Sequence, residues 1–388
     1  MFKQFNFLSD ILCRVAEAAK KNNTNKIRWV GAHAGIPLLR SELAKCGIDD
    51  FKVMDNNVAF HGESIPVFDD FLGLKKLTIE KVSYDVVNES DAIFLLCNTH
   101  GKEITEQLVG LGVDSERVID LYDMQTEWMN EVVLPATNGL HLLTGRELQL
   151  WELAILKEFK RFCNEHNLRY YLAAGSLLGA VRHKGFIPWD DDIDIFMPYE
   201  DYRKLVEIYP DNDRYQLLDW TKDSDYRFQF PKLIDNSTYL VHKCIFGYCI
   251  MGCCIDVFPL VGFPNGKEEI ERKHLLHDNN AMEWRSYAAL MNTDRDRSIT
   301  GRERIVASNT EYSFYSSDRI GEIQNVAFTP WTVSKECFAE PKEMLFEDDY
   351  FSVPSNPEEY LINHYGKDYM QLPPEEKRRM HPYPTWVL

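Results

Sequence analysis

The sequence predicts a two-part α/β protein, with a parallel α/β domain followed by an α+β domain built on a mixed sheet. Three observations predict it. Between residues 26 and 122 short apolar segments of strand character alternate with segments of helical periodicity. Proline, asparagine and glycine then gather in 134-LPATNGL-140 and interrupt the pattern. Beyond that break a long amphipathic helix runs into a strand, a Gly-Ser turn and a second strand rich in aspartate. The domains expected are residues 1–125 and 146–388, joined by a linker at 126–145.

Composition supports folded domains. The chain has 388 residues, 45% apolar and 27% charged, enough for two compact cores. Its formal charge of -18 repels phosphate backbones, so nucleic acid is not an expected partner. Nine cysteines, an odd number, do not resemble the framework of a small secreted domain, and a reducing, cytoplasmic setting is expected. The N-terminus carries Asp10 and Glu17 inside its apolar pattern, which suits an amphipathic helix with Phe7, Leu8, Ile11, Leu12 and Val15 on one face rather than a signal peptide. The uncharged run Cys244–Ile255 has twelve residues. A bilayer crossing needs about 20. No transmembrane segment is expected.

In the first part, 26-KIRWV-30 reads as a strand running into the turn Gly31–Gly35, and 36-IPLLRSELAKCG-47 as a helix closed by glycine. Strands follow at 51-FKVMD-55, 91-DAIFLLCN-98 and 117-RVIDLY-122, with a helix over 101–112. This is Rossmann-like patterning, which would place a nucleotide at the turn and Asp55 near a ribose. The glycines stand at the wrong spacing for G-x-G-x-x-G, however, and a domain that keeps the fold without a bound dinucleotide is the favoured reading.

In the second part, 146-RELQLWELAILKEFKRFCNEHN-167 places Leu148, Trp151, Leu153, Ile155, Leu156 and Phe159 at helical spacings, as a core-facing helix requires. A strand over 169–174 then meets Gly175 and Ser176. After a loop containing Arg182, His183, Lys184, Gly185 and Pro188, a strand is expected to carry Asp192, Ile193, Asp194 and Ile195. Residues two apart on a strand share a face, so the two aspartates project together while the isoleucines enter the core. Adjacent carboxylates on one face repel unless something positive lies between them. Hard oxygen ligands at this spacing suit Mg²⁺ or Mn²⁺, which can hold phosphates and offset charge developing in phosphoryl transfer. A solvated acidic loop is the plain alternative.

A further acid is expected on an apolar strand after this pair, and Asp256 in 251-MGCCIDVFPLVGF-263 is the candidate. Asp190 and Asp191 are expected to shape the loop or support the ligands from behind. Arg182 and Lys184 are candidates to hold a diphosphate, ahead of His183. Alternation in 226-YRFQFPKLID-235 sets Tyr226, Phe228 and Phe230 against Arg227 and Gln229, and Gln229 or Lys232 could reach substrate. Arg378, Arg379 and His381 could return to the site as anion binders. The spacing of Cys244, Cys249, Cys253 and Cys254 does not make a zinc site.

Gly-Ser after a strand, an acidic pair on the next strand and an acid on a later one resemble the nucleotidyltransferase superfold. More closely, 175-GSLLGAVRHKGFIPWDDDIDI-195 is similar to the central motif of the LicD family, relatives of fukutin and fukutin-related protein. The likeness continues in 344–382, with Phe346-Glu347, Val353-Pro354, Tyr360-Leu361 and Tyr365-Gly366, and covers about residues 145–382.

The resemblance implies a Mg²⁺-dependent (or Mn²⁺-dependent) phosphotransferase that moves a phospho-alcohol, phosphocholine or a polyol phosphate, from a CDP-linked donor to a sugar hydroxyl of a glycan or glycolipid. A membrane-bound acceptor would be met by peripheral contact. Asp192, Asp194 and Asp256 would be the metal ligands and catalytic acids, with Asp256 either ligand or base. Gly175, Ser176, Arg182, Lys184, Lys232, Arg379 and His381 would contact substrate. Two other functions fit the fold: nucleotidyl transfer to a small molecule or sugar phosphate, and glycan binding without chemistry. The intact acids speak against the second.

Overall fold

The computed structural model describes residues 3–6, 8–30, 36–55, 64–69, 73–81, 91–96, 101–223, 226, 228, 230–244, 247–273, 275–276, 303–304, 306–308, 310–322, 331–375, 378 and 383–388. The chain divides into two units, one of residues 4–139 with 243–248, the other of residues 1–3, 140–242 and 249–388. The Gly31–Gly35 turn, Arg227, Gln229, Arg379 and His381 lie outside the described residues.

The strands in chain order are β1 (Lys3–Asn6), β2 (Lys26–Val30), β3 (Asp50–Asp55), β4 (Ser64–Asp69), β5 (Gly73–Lys81), β6 (Ile93–Leu96) and β7 (Val118–Asp120) in the first part of the chain. Strands β2, β3, β5, β6 and β7 are parallel and lie in the order β5-β3-β2-β6-β7, with β4 antiparallel on the β5 edge. Strand β6 is buried at every residue, as the apolar run in the sequence requires of a central parallel strand. Val30, Met54, Phe94, Leu96 and Leu108 form a core on which the helix Gly101–Gly110 packs through Ile104 and Leu108. The β4–β5 hairpin was not expected from the sequence, because neither segment is apolar enough to stand out from a loop.

In the second part the strands are β8 (His141–Leu142), β9 (Tyr171–Leu172), β10 (Asp194–Pro198), β11 (Tyr215–Leu218), β12 (Lys232–Cys244), β13 (Gly247–Phe263), β14 (Arg319–Glu322), β15 (Val333–Ser334), β16 (Lys342–Phe346), β17 (Asp349–Val353) and β18 (Thr385–Val387). They form a mixed sheet of order β15-β14-β13-β12-β18-β8, with β10 parallel to β13, β9 antiparallel to β10 and β11 antiparallel to β12. The hairpin β16–β17 stands apart from this sheet.

The helix Arg146–His166 forms over the predicted span and stops at Asn167, which takes the left-handed conformation (φ 51°) common at helix ends. Its apolar face joins Ile193, Ile195, Phe196, Leu260, Phe346 and Phe351 in one core. Ile193 and Ile195 are fully buried, worth about 1.5–3 kcal/mol each for a side chain of this size. The helix Pro357–Tyr365 begins with Asn356, whose side chain accepts from the Glu359 N–H, and with proline at its first position.

Two local expectations shift. Gly175 and Ser176 lie inside the first turn of the helix Ala174–Arg182 rather than in a turn ahead of it. The β10 ladder begins at Asp194, so Asp192 leads into the strand, although the burial of Ile193 and Ile195 against partly exposed Asp192 and Asp194 keeps the alternation.

Candidate active site

The acidic residues are brought together by strand register. Strand β10 runs parallel to β13 with Asp194 directly beside Asp256, and the Asp256 N–H donates to the Ile193 carbonyl at 2.9 Å. On the other side of β13 the Val257 N–H donates to the Pro231 carbonyl at 3.0 Å, which brings in the start of β12. Asp194, Asp256 and Lys232 therefore lie side by side across three adjacent strands. Like charges so placed are costly without a positive partner.

Lys232 supplies one. Its Nζ stands 2.5 Å from Asp256 Oδ1, with the lysine side chain 5% exposed and the aspartate 20%. The same ammonium lies 4.7 Å from the centre of the Phe228 ring and 5.2 Å from that of Phe230, two aromatic faces that favour a cation. Burial opposes its charge, but Asp256 prevails and raises the lysine's pKa above the ordinary range. Among its described residues the stretch 226–230 forms no regular strand; the Tyr226 hydroxyl donates to the Phe230 carbonyl at 2.8 Å.

Asp194 is held from the helix side. Its N–H donates to Ser176 Oγ at 2.9 Å, and its carbonyl accepts from the Ala173 N–H at 2.9 Å. Burial and then the charges of Asp192 and Asp256 push its carboxyl well above the usual range. Gly175 passes close to Asp190: a Cβ there would lie 2.4 Å from Asp190 Oδ2. Any larger residue there would push the Asp190 carboxylate aside.

The loop from His183 to Asp190 is fixed by Gln149 and Arg146, which sequence reasoning did not single out, and by Glu347, which it noted only as part of the family likeness. Gln149 donates to the carbonyls of Asp190 (2.7 Å) and Ile187 (3.3 Å). Glu347 accepts from the Phe186 N–H at 3.1 Å, and its own N–H donates to the Lys184 carbonyl at 2.8 Å. Arg146 closes the arrangement with a two-pronged ion pair to Glu347, and its hydrogen bond holds that carboxyl below the usual range. Gly179 and Gly185 permit the packing, since a Cβ on Gly179 would lie 2.4 Å from the Gly185 carbonyl oxygen.

The basic residues are placed differently from one another. Arg182 donates to the carbonyls of Tyr369 (2.9 Å) and Gln371 (3.2 Å), which ties the closing segment to the motif helix. Arg378 stacks on Trp189, its guanidinium 4.8 Å from the ring centre. Lys184 is exposed and adopts a positive φ of 59°. The closing segment thus returns to the acidic loop through Arg378, while Arg379 and His381 lie outside the described residues.

Glu152 is a fourth acid of this region that sequence reasoning missed. It is 3% exposed on the helix Arg146–His166, and burial, then the charges of Asp192, Asp191, Asp190 and Asp256, push its carboxyl well above the usual range. The signal was present: Glu152 occupies a core-facing position between Leu148 and Ile155. Among the described residues no three histidine, cysteine, aspartate or glutamate side chains stand close enough to hold a metal ion as arranged. Among the described residues Cys13, Cys46, Cys163, Cys253, Cys254 and Cys337 form no disulfide.

Residues 167–290 match the family model "LicD/FKTN/FKRP, nucleotidyltransferase domain". The chain is 30% identical over 262 residues to the lipopolysaccharide cholinephosphotransferase LicD of Haemophilus influenzae, an alignment covering 62% of this chain and 96% of that protein. This chain belongs to the LicD family. It is a transferase of phosphate-containing groups. Ribitol 5-phosphate transferase FKRP of Mus musculus is 36% identical over 72 residues, covering 18% of this chain and 15% of the relative. The LicD family match spans the strands carrying Asp194, Lys232 and Asp256, so the family relationship and the clustered acids fall on the same segment. Among the described residues no helix is long and apolar enough to cross a membrane.

Proposed function

We propose that this protein transfers a phospho-alcohol, phosphocholine or a polyol phosphate, from a CDP-linked donor to a sugar hydroxyl of a glycan or glycolipid, with CMP leaving and Mg²⁺ or Mn²⁺ as cofactor. The observation that carries the reading is the register of Asp194 beside Asp256, in a family whose relatives include a cholinephosphotransferase and a ribitol 5-phosphate transferase. The catalytic domain would be residues 146–388. The domain of residues 1–125 would be a Rossmann-like module, a reading supported by its parallel strand order with a reversal beside β2. A cytoplasmic setting is part of this reading, in keeping with the thiol form of Cys13, Cys46, Cys163, Cys253, Cys254 and Cys337.

The donor set fits a divalent cation in its chemistry: Asp192, Asp194 and Asp256 offer hard carboxylate oxygens, and their mutual repulsion is the condition a cation relieves. A cation held there would offset the charge of the donor diphosphate. The protein's own groups do the rest. Ser176 fixes the Asp194 backbone, and Gly175 lets a diphosphate or the acidic segment approach the helix start. Lys232 holds the Asp256 carboxylate in place, so that it either ligates or takes the acceptor's proton. Arg182 and Lys184 flank the entry loop, where a guanidinium and an ammonium can meet phosphate.

Incubation with a panel of CDP-alcohols, Mg²⁺ and glycan acceptors tests the reading through CMP release. One donor should give metal-dependent CMP and a phosphodiester product, and Asp194→Asn should abolish turnover while melting normally. Pyrophosphate release with nucleotide left on the acceptor would replace the proposal with nucleotidyl transfer.

A further inference from the structure

The transfer reaction set out above leaves the buried acid Glu152 unused. Glu152 stands on the helix Arg146–His166 at a position whose neighbours on that face, Leu148, Ile155 and Leu156, fill the core. A carboxyl group there forfeits hydration and returns no packing advantage over leucine unless something compensates it. Only 3% of the residue is exposed, and Oε2 has no hydrogen-bond partner among the described residues. Three residues earlier, on the same helix face, Gln149 donates to the Asp190 carbonyl at 2.7 Å and so fixes this face against the acidic segment. The charges of Asp190, Asp191, Asp192 and Asp256 reach Glu152, and Glu152 in turn reaches the thiols of Cys253 and Cys254. The acidic segment and the thiols of β13 are thus both within electrostatic reach of this buried carboxyl.

We propose that Glu152 is a further ligand of the divalent cation, offering its unpartnered, buried Oε2 to an ion shared with Asp192 and Asp256. This rests on the cation reading above. A bound cation would meet two costs at once, the orphaned oxygen and the repulsion among the acids. It would also draw together carboxylates that in the ion-free arrangement stand apart, with Asp256 turned onto Lys232. A purely structural Glu152 would instead be expected to hold a hydrogen bond of its own.

The test is Mn²⁺ binding to the full chain, followed by the electron paramagnetic resonance signal of free Mn²⁺, for the wild type, Glu152→Gln and Glu152→Leu. Thermal melts in chelator accompany it. Glu152→Gln keeps the side chain's shape, so the fold should survive. Both variants should bind Mn²⁺ at least tenfold more weakly, the lower end of the roughly 10–100-fold typical when a metal site's supporting groups are removed. In chelator both should melt at or above the wild-type temperature, because an uncompensated buried acid has been removed. Binding within twofold of the wild type in the natively folded Gln variant would overturn the proposal and leave the cation reading standing. A wild-type chain that binds no Mn²⁺ would remove both.

Discussion

Replacing Lys232 by methionine tests how the acidic row is held together. The substitution keeps the length of the side chain and its contact with Phe228 and Phe230 but removes the charge that faces Asp256 at 2.5 Å. Two unit charges about 4 Å apart attract by about 4 kcal/mol at an effective dielectric constant near 20. Breaking a buried pair from one side costs roughly 3–5 kcal/mol, since the remaining charge is left uncompensated. Asp256 keeps 20% of its side-chain surface exposed and Asp194 adds a second negative neighbour, so partial hydration and added repulsion pull in opposite directions. A loss of about 3 kcal/mol is the balance. At roughly 2–4 °C per kcal/mol for a domain of this size, the melting temperature should fall by about 6–12 °C. The Lys232→Met/Asp256→Asn double variant should regain most of that loss, because the uncompensated charge is then gone as well. Melts of the two single variants and the double variant, combined as a thermodynamic cycle, measure the coupling. Losses that simply add, or a Lys232→Met variant that melts with the wild type, would refute the account of the row.

Other predictions follow from the parts around it. Gly179→Ala should cost about 1–3 kcal/mol and depress turnover, because its Cβ would meet the Gly185 carbonyl oxygen at 2.4 Å and the backbone must move; melting and CMP release together check this. Arg146 depresses the Glu347 pKa, so the stabilisation it provides is complete above the unfolded carboxyl value of about 4.3 and is lost as pH falls through the lower folded value. Glu347→Gln should accordingly lose less melting temperature between pH 5 and pH 3 than the wild type, by an amount of order 1 kcal/mol. Tyr171→Phe should cost about 1–2 kcal/mol in denaturant unfolding, as the buried hydroxyl donates to the Phe338 carbonyl at 2.6 Å and leaves that acceptor unmet when removed.

Much of the architecture was legible because it depends on periodicity. The helix Arg146–His166 could be read to within a residue, since its apolar positions repeat at helical spacing over almost six turns and nothing inside breaks it. The parallel strands β2, β3 and β6 were legible for a related reason: β6 is apolar and buried throughout, and β2 and β3 carry the buried apolar residues Ile27, Trp29, Val30, Phe51, Val53 and Met54. The hairpin β4–β5 was not, because its residues alternate too weakly to be told from a loop. The alternation over 226–230, with Pro231 expected to end regular pairing, gives no strand in its described residues; the strand begins after the proline, at Lys232, and Phe228 and Phe230 face the Lys232 ammonium.

The site divides in the same way, and the division has a physical cause. Asp192, Asp194 and Asp256 could be picked out one at a time, because a carboxylate flanked by buried isoleucine or valine is conspicuous in a sequence. What could not be read is the order of strands that sets Asp194 beside Asp256, since register between segments sixty residues apart depends on the whole sheet. Glu347 shows the same thing at greater distance: in 346-FEDD-349 it stood out only as part of the family likeness, with no role, yet it is joined to Arg146, 201 residues away, and to the Phe186 N–H. These long-range partners fix the loop that carries the aspartates. A side chain that does chemistry can be named from its neighbours in sequence, whereas one that positions the chemistry is defined by a partner that only the fold supplies, so substitutions at Arg146, Gln149 or Glu347 should loosen the acidic segment without removing a ligand.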